Sequence, residues 1–174
     1  MRRLALLMIV APLAALSACN AARGPAPSVG FEPAQANYIR APGKGVIAGQ
    51  AFLRDRSGRS NVRYAAGETV RLIPATTYAQ ARIKHFYGSV KFVPAASIPK
   101  VEADAQYAAL TRTTKTEADG RFTFQNVAPG RYYLTTQLVW TPKDASVPEG
   151  GAIYEEVTLT GNESGPLSVI LSGD

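Results

Sequence analysis

The residues able to do chemistry are few, and their types and spacing match no common catalytic signature. His85 is the sole histidine, so it cannot be half of a two-histidine metal site, and no serine or aspartate motif beside it suggests a triad. The chain contains no HExxH, GxSxG or GxxxxGK[ST] run, which leaves zinc-hydrolytic, esterase-type and phosphate-cradling signatures without a carrier. Glu117 and Asp119 beside Gly120 are too short a ligand run for a calcium loop and read as turn chemistry. These patterns predict a chain without enzymatic activity, metal or cofactor. The aromatics are more suggestive. Tyr78, Phe86, Tyr87 and Phe92 cluster around His85, with Tyr107 following. Two readings stay open for them: an exposed patch that binds glycan or protein, or the packing face of a helix. Packing is preferred, because a short helix needs a buried face to persist. The partner-binding candidates are Tyr78, His85, Phe86, Tyr87 and Phe92.

These residues must be positioned by a mainly β chain. From Thr77, the residues Ala79, Arg82/Ile83 and Phe86/Tyr87 recur at helical spacing, with Thr76 or Thr77 as N-cap and Gly88 as the stop. A second short helix is expected over 103–110, and a loop over 89–100, where Pro94 and Pro99 stand. Elsewhere the period is two. Strands are expected at 45–53, 61–64, 69–74, 111–116, 121–125, 131–140, 152–160 and 166–171. Glu117-Ala118-Asp119-Gly120 lies between two such runs and predicts a hairpin, because glycine accepts the positive φ of the turn. In 131–140, Tyr132, Leu134, Thr136, Leu138 and Trp140 share one face, and Tyr133, Thr135, Gln137 and Val139 the other. About seven strands with frequent turns predict an antiparallel β-sandwich.

The order of certain runs resembles a known family. Gly45-Val46-Ile47-Ala48-Gly49 and Gly67-Glu68-Thr69-Val70-Arg71-Leu72 come first. Thr116-Glu117-Ala118-Asp119-Gly120-Arg121-Phe122-Thr123-Phe124 and Val127-Ala128-Pro129-Gly130-Arg131-Tyr132-Tyr133-Leu134 follow. Together they resemble the carboxypeptidase regulatory-like domain, a transthyretin-like β-sandwich. The resemblance implies a domain over 45–174 that serves as an accessory, adhesive or scaffolding module rather than as a peptidase. Residues 75–110 depart from the short form of that family as a helix-bearing insertion. Connections that long are often functional.

The N-terminal part predicts where the domain resides. Arg2 and Arg3 precede an apolar run from Leu4 to Leu16, shorter than the roughly 20 residues a spanning helix needs. It ends in Leu16-Ser17-Ala18-Cys19, which resembles the lipobox of a bacterial lipoprotein. The resemblance implies that 1–18 is a signal peptide and that Cys19 carries lipid. With more than one acyl chain such an anchor is durable. Asn20 rather than aspartate favours the outer membrane. Residues 19–44, rich in proline, glycine and alanine, read as a mostly extended tether, with Phe31, Tyr38 and Ile39 available to dock on the domain.

Two of the net positive charges in the formal +6 belong to Arg2 and Arg3 and would leave with the leader. The remaining modest charge suits anionic lipid or cell-wall polymer. No Lys/Arg stripe interleaved with aromatics points to nucleic acid. The function expected is therefore a non-enzymatic, membrane-anchored envelope module that binds an envelope protein, a cell-wall polymer or a polysaccharide. The alternative is an enzyme or small-ligand carrier with an unrecognised site, which a deep pocket ringed by His85 and carboxylates would favour. Cys19→Ala is expected to move the protein from the membrane fraction to the soluble fraction. Retention of that variant through detergent-resistant washing would contradict the lipid anchor.

Overall fold

The computed structural model describes residues 28–54, 62–143 and 145–173. The expectations placed on the leader, on Cys19 and on residues 20–27 lie outside the described residues. In chain order the elements are α1 (Pro33–Ala36), β1 (Gly45–Arg54), β2 (Val62–Tyr64), β3 (Thr69–Pro74), α2 (Thr77–Tyr87) and β4 (Phe92–Pro94). Then come α3 (Ala105–Ala109), β5 (Arg112–Lys115), β6 (Arg121–Val127), β7 (Gly130–Trp140), β8 (Glu149–Leu159) and β9 (Leu167–Leu171).

Two sheets face each other as a mainly β sandwich. One contains β2, β1, β6 and β9, and the other runs β4-β8-β7-β3-β5. The period-two pattern explains the core between them. Val70 and Leu72 from β3 and Tyr132, Leu134 and Leu138 from β7 point inward. They meet Ile47 and Ala51 of β1, Phe122 and Phe124 of β6, and Val169 and Leu171 of β9. The one polar atom on the Tyr132 side chain is satisfied where it lies, because its hydroxyl donates to Ala128 O at 2.8 Å.

Three features differ from the sequence reading. First, the Asp-Gly turn does not make a hairpin. β5 pairs with β3 and β6 pairs with β1, so the chain changes sheets between them. The turn itself forms as expected, with Gly120 at φ 79 and its N–H donating to Glu117 O at 2.9 Å. Phe122 and Phe124 take β6 to the sheet where both rings reach the core, and that tertiary burial outweighs local pairing. Second, β4 is a strand inside the stretch that reads as loop, pairing Val93 with Ala152. The edge of β8 has backbone groups that need partners, and an edge position is where a strand ending in proline is tolerated. Third, β9 runs parallel to β1, from Ile47↔Leu167 to Ala51↔Leu171. All other strand pairs among the described residues are antiparallel.

The segment before β1 is helical rather than extended. α1 continues into a 3-10 turn, Asn37–Arg40, and Ala36 and Ile39 are buried in the main core. Tyr38 fixes this segment to the start of the insertion: its hydroxyl accepts from Ala75 N–H at 3.0 Å and donates to Arg131 O.

A methyl group at Gly120 would lie 2.3 Å from the carbonyl oxygen of Ala51. Gly120→Ala therefore combines a left-handed φ with a backbone clash. It is expected to lower stability by about 2 kcal/mol or more. Chemical denaturation checks this, and a change within experimental error would show that the corner relaxes freely.

Candidate functional site

The second sheet has an outer face that is too apolar to stand in water. Ile73 of β3, Tyr133 of β7 and Ala152 of β8 point away from the main core and are nevertheless buried. The insertion covers them. α2 lies on this face through Ala79, Ile83 and Tyr87, which form a second, smaller apolar cluster with Val93. Its ends are set by local chemistry. The Thr76 hydroxyl accepts from Ala79 N–H at 3.1 Å, and Gly88 at φ 65 terminates the last turn. α3 is capped likewise by Asp104, whose carboxylate accepts from Gln106 and Tyr107 N–H groups.

A buried cation joins the two helices. Arg82 is 9% exposed, and its guanidinium donates to Glu102 O at 3.0 Å and Val101 O at 3.3 Å. It also stands 5.2 Å from the Phe86 ring, 5.6 Å from Tyr107 and 5.7 Å from Tyr78. Such faces attract a cation through the ring quadrupole. Phe31, from the segment before β1, completes the cluster with edge-on contacts to Tyr78 and Tyr107 at 5.5 and 5.8 Å.

Between this cluster and the sheet lies a cavity of about 280 Å³. Phe86, Tyr87 and Tyr107 supply its aromatic walls, and Arg71, Thr113, Thr135 and Gln137 its polar floor. No carboxylate, histidine, cysteine or serine is among the lining residues. Nor do the described residues hold a group of three or more His, Cys, Asp or Glu side chains able to bind a metal ion.

The five partner-binding candidates separate. Phe86 and Tyr87 line the cavity. Tyr87 is buried at its back, donating from its hydroxyl to Ile153 O at 3.3 Å and packing on Tyr154 at 4.5 Å. Tyr78 stands behind the cavity in the aromatic cluster, where its oxygen accepts from Asp104 N–H. His85, on the same helix, touches Phe86 edge-on and does not line the cavity. Phe92 lies on β4 and packs against the main core. Sequence reasoning left out Arg71, Arg82, Thr113, Thr135 and Gln137. The outward alternation of Thr135 and Gln137 was visible, but only the pairing of β5, β3 and β7 brings them beside Arg71.

The site thus belongs to a mainly β sandwich with a cavity on its outer face. No family model matches the chain, and no curated protein matches it significantly. Among solved structures, it is similar to a proposed carbohydrate-binding protein from Pseudomonas aeruginosa, at 28% identity and a TM-score of 0.65. That similarity covers 82% of this chain and 97% of that one. It is also similar, at 13% identity and a TM-score of 0.39, to BcpA, the major pilin subunit of Bacillus cereus. There the match covers 75% of this chain and 30% of the pilin.

Burial pushes the Tyr107 phenol up to about 12, against the pull of Arg82. Burial also raises Tyr87 and Tyr132 well above the usual 10. Between pH 10 and 12 the folded chain therefore keeps protons that the unfolded chain loses. Stability is expected to be level up to pH 10 and to fall steadily as the pH rises beyond it. Denaturant titrations across this range check it, and level stability through pH 12 would contradict the burial of these phenols.

Proposed function

We propose that this chain is a non-enzymatic envelope lipoprotein whose β-sandwich binds polysaccharide in the cavity beneath the insertion. Residues 1–18 act as the signal peptide, Cys19 carries the lipid, and the stretch from 20 to 30 spaces the anchor from the domain, on which residues 31–40 are packed. The outer membrane is its place of residence. The sandwich over 45–174 is a carboxypeptidase regulatory-like, transthyretin-like domain used as a holder, and the insertion over 75–110 is what adapts it to a ligand.

The observation that carries this reading is the cavity itself. Small-molecule sites combine apolar and aromatic walls with a few convergent polar groups, in volumes of roughly 300–1,000 Å³. This one, at about 280 Å³, lies just below that range, which suits one or two sugar units of a longer chain. Threonine hydroxyls and the Gln137 amide donate and accept, as sugar hydroxyls require. The lining holds no pair of carboxylates, which glycoside hydrolysis ordinarily uses, and this supports binding over turnover. The similarity to the proposed carbohydrate-binding protein supports the same class of ligand.

Ala108 is an exposed residue of α3 at the cavity wall. Ala108→Trp is expected to obstruct the cavity and reduce capture of envelope polysaccharide at least about tenfold, with the melting temperature unchanged. A tenfold loss corresponds to about 1.4 kcal/mol, a modest fraction of a small-ligand binding energy. Equal capture by the variant and the parent would remove the cavity from the reading.

A further inference from the structure

We infer that the sugar held in this cavity is acidic, and that Arg71 receives its carboxylate. The inference rests on the polysaccharide reading above and narrows it to uronate-containing chains. Arg71 occupies the centre of a row across the outer face of the sheet, with Thr113 of β5 as its register partner on one side and Thr135 of β7 on the other. All three line the cavity, and Arg71 is exposed.

Charge around this row is one-sided. Arg82 supplies a second guanidinium at the opposite wall, buried among aromatic rings and with two of its N–H groups committed to the carbonyls of Val101 and Glu102. Arg71 forms no ion pair among the described residues. The three carboxylates on β8, the strand beyond β7, are engaged elsewhere: Glu149 accepts from the Trp140 ring N–H at 3.1 Å, Glu155 pairs with Lys91 at 2.8 Å and Glu156 with Arg131 at 2.9 Å. The cavity therefore carries two positive charges and no negative one.

A neutral sugar would leave that field unused, whereas a uronate matches it. Guanidinium and carboxylate are both planar, and two parallel N–H···O bonds can join them. The flanking threonines then stand beside the sugar ring, where their hydroxyls can meet the ring hydroxyls. Phe86 and Tyr107 offer an apolar wall to the C–H face. Arg82 acts at a distance here, because it is buried among the rings of Tyr78, Phe86 and Tyr107 and tied to two backbone carbonyls. Its charge adds to the attraction without gripping the ligand.

Binding of trisaccharides of galacturonic and of glucuronic acid, each compared with its methyl ester, tests the assignment by titration calorimetry on the full chain. The ester keeps the shape and removes the charge. At least one acid is expected to bind about tenfold or more tightly than its ester, with affinity falling as salt is added. Arg71→Gln is expected to bring the acid down to the affinity of the ester, and Arg71→Lys to recover part of the difference. Melting temperature serves as the check on folding.

Equal affinity for acid and ester in the parent chain would overturn the acidic ligand while leaving saccharide binding intact. A preference that survives Arg71→Gln would overturn the role of Arg71. Tighter binding of a glycerol-phosphate oligomer than of either uronate would replace carboxylate by phosphate and overturn the assignment. No binding of acid or ester would remove this inference. Capture of neutral envelope polysaccharide that is lost in Ala108→Trp would still uphold the broader reading.

Discussion

The sheet of β4, β8, β7, β3 and β5 must bury both of its faces, and most of the molecule follows from that requirement. Its inner face closes the sandwich core through Leu72, Tyr132 and Leu134. Its outer face carries Ile73, Tyr133 and Ala152, which water would penalise in proportion to their apolar area. An antiparallel sheet commonly leaves one face solvated, with polar residues there. This one instead requires a cover, and the chain between β3 and β5 provides it. The cavity is what remains where that cover does not reach the polar floor.

The cover is short and would not hold its shape alone. α2 spans Thr77–Tyr87 and α3 only Ala105–Ala109, lengths at which isolated helices are marginal in water. Arg82 gives them a common centre. An arginine fits the task better than a lysine, because its planar fork reaches two successive carbonyls while its faces lie near aromatic rings. Tyr38 and Gln35 add ties from the segment before β1, with Gln35 accepting from Thr77 N–H at 3.0 Å. A similar device operates at the other end of the insertion. Arg112 donates to Gln125 O at 2.6 Å and Asn126 O at 3.2 Å, where the pairing of β1 with β6 shifts register. There the two sheets are joined by a side chain rather than by backbone.

The strands other than β4, both helices of the insertion and the two faces of β7 were legible because each is encoded by a local period. The cap at Thr76 and the stop at Gly88 were legible for the same reason. What local pattern does not carry is the sheet to which a strand belongs. The Asp119-Gly120 turn has the chemistry of a hairpin and serves as a corner between sheets, a choice made by the burial of Phe122 and Phe124 far from the turn. The cavity was illegible on the same ground. Thr113, Arg71 and Thr135 are unremarkable alone and become one row only through the β5-β3-β7 order. The aromatics drew attention to α2, but their types could not separate Phe86 at the cavity wall from Phe92 against the main core.

The parallel partnership of β1 with β9 governs when the domain can be completed. β1 is the first strand, yet along Ile47 to Ala51 one of its edges is filled by Leu167 to Leu171. Nothing between them substitutes for that pairing, so the first sheet stays open until about 120 further residues have been made. Contacts so distant in sequence form late and slowly, so the edge of β1 along Ile47 to Ala51 is the last of its pairings to be filled. The last strand thus works as a timing device for closure of the first sheet.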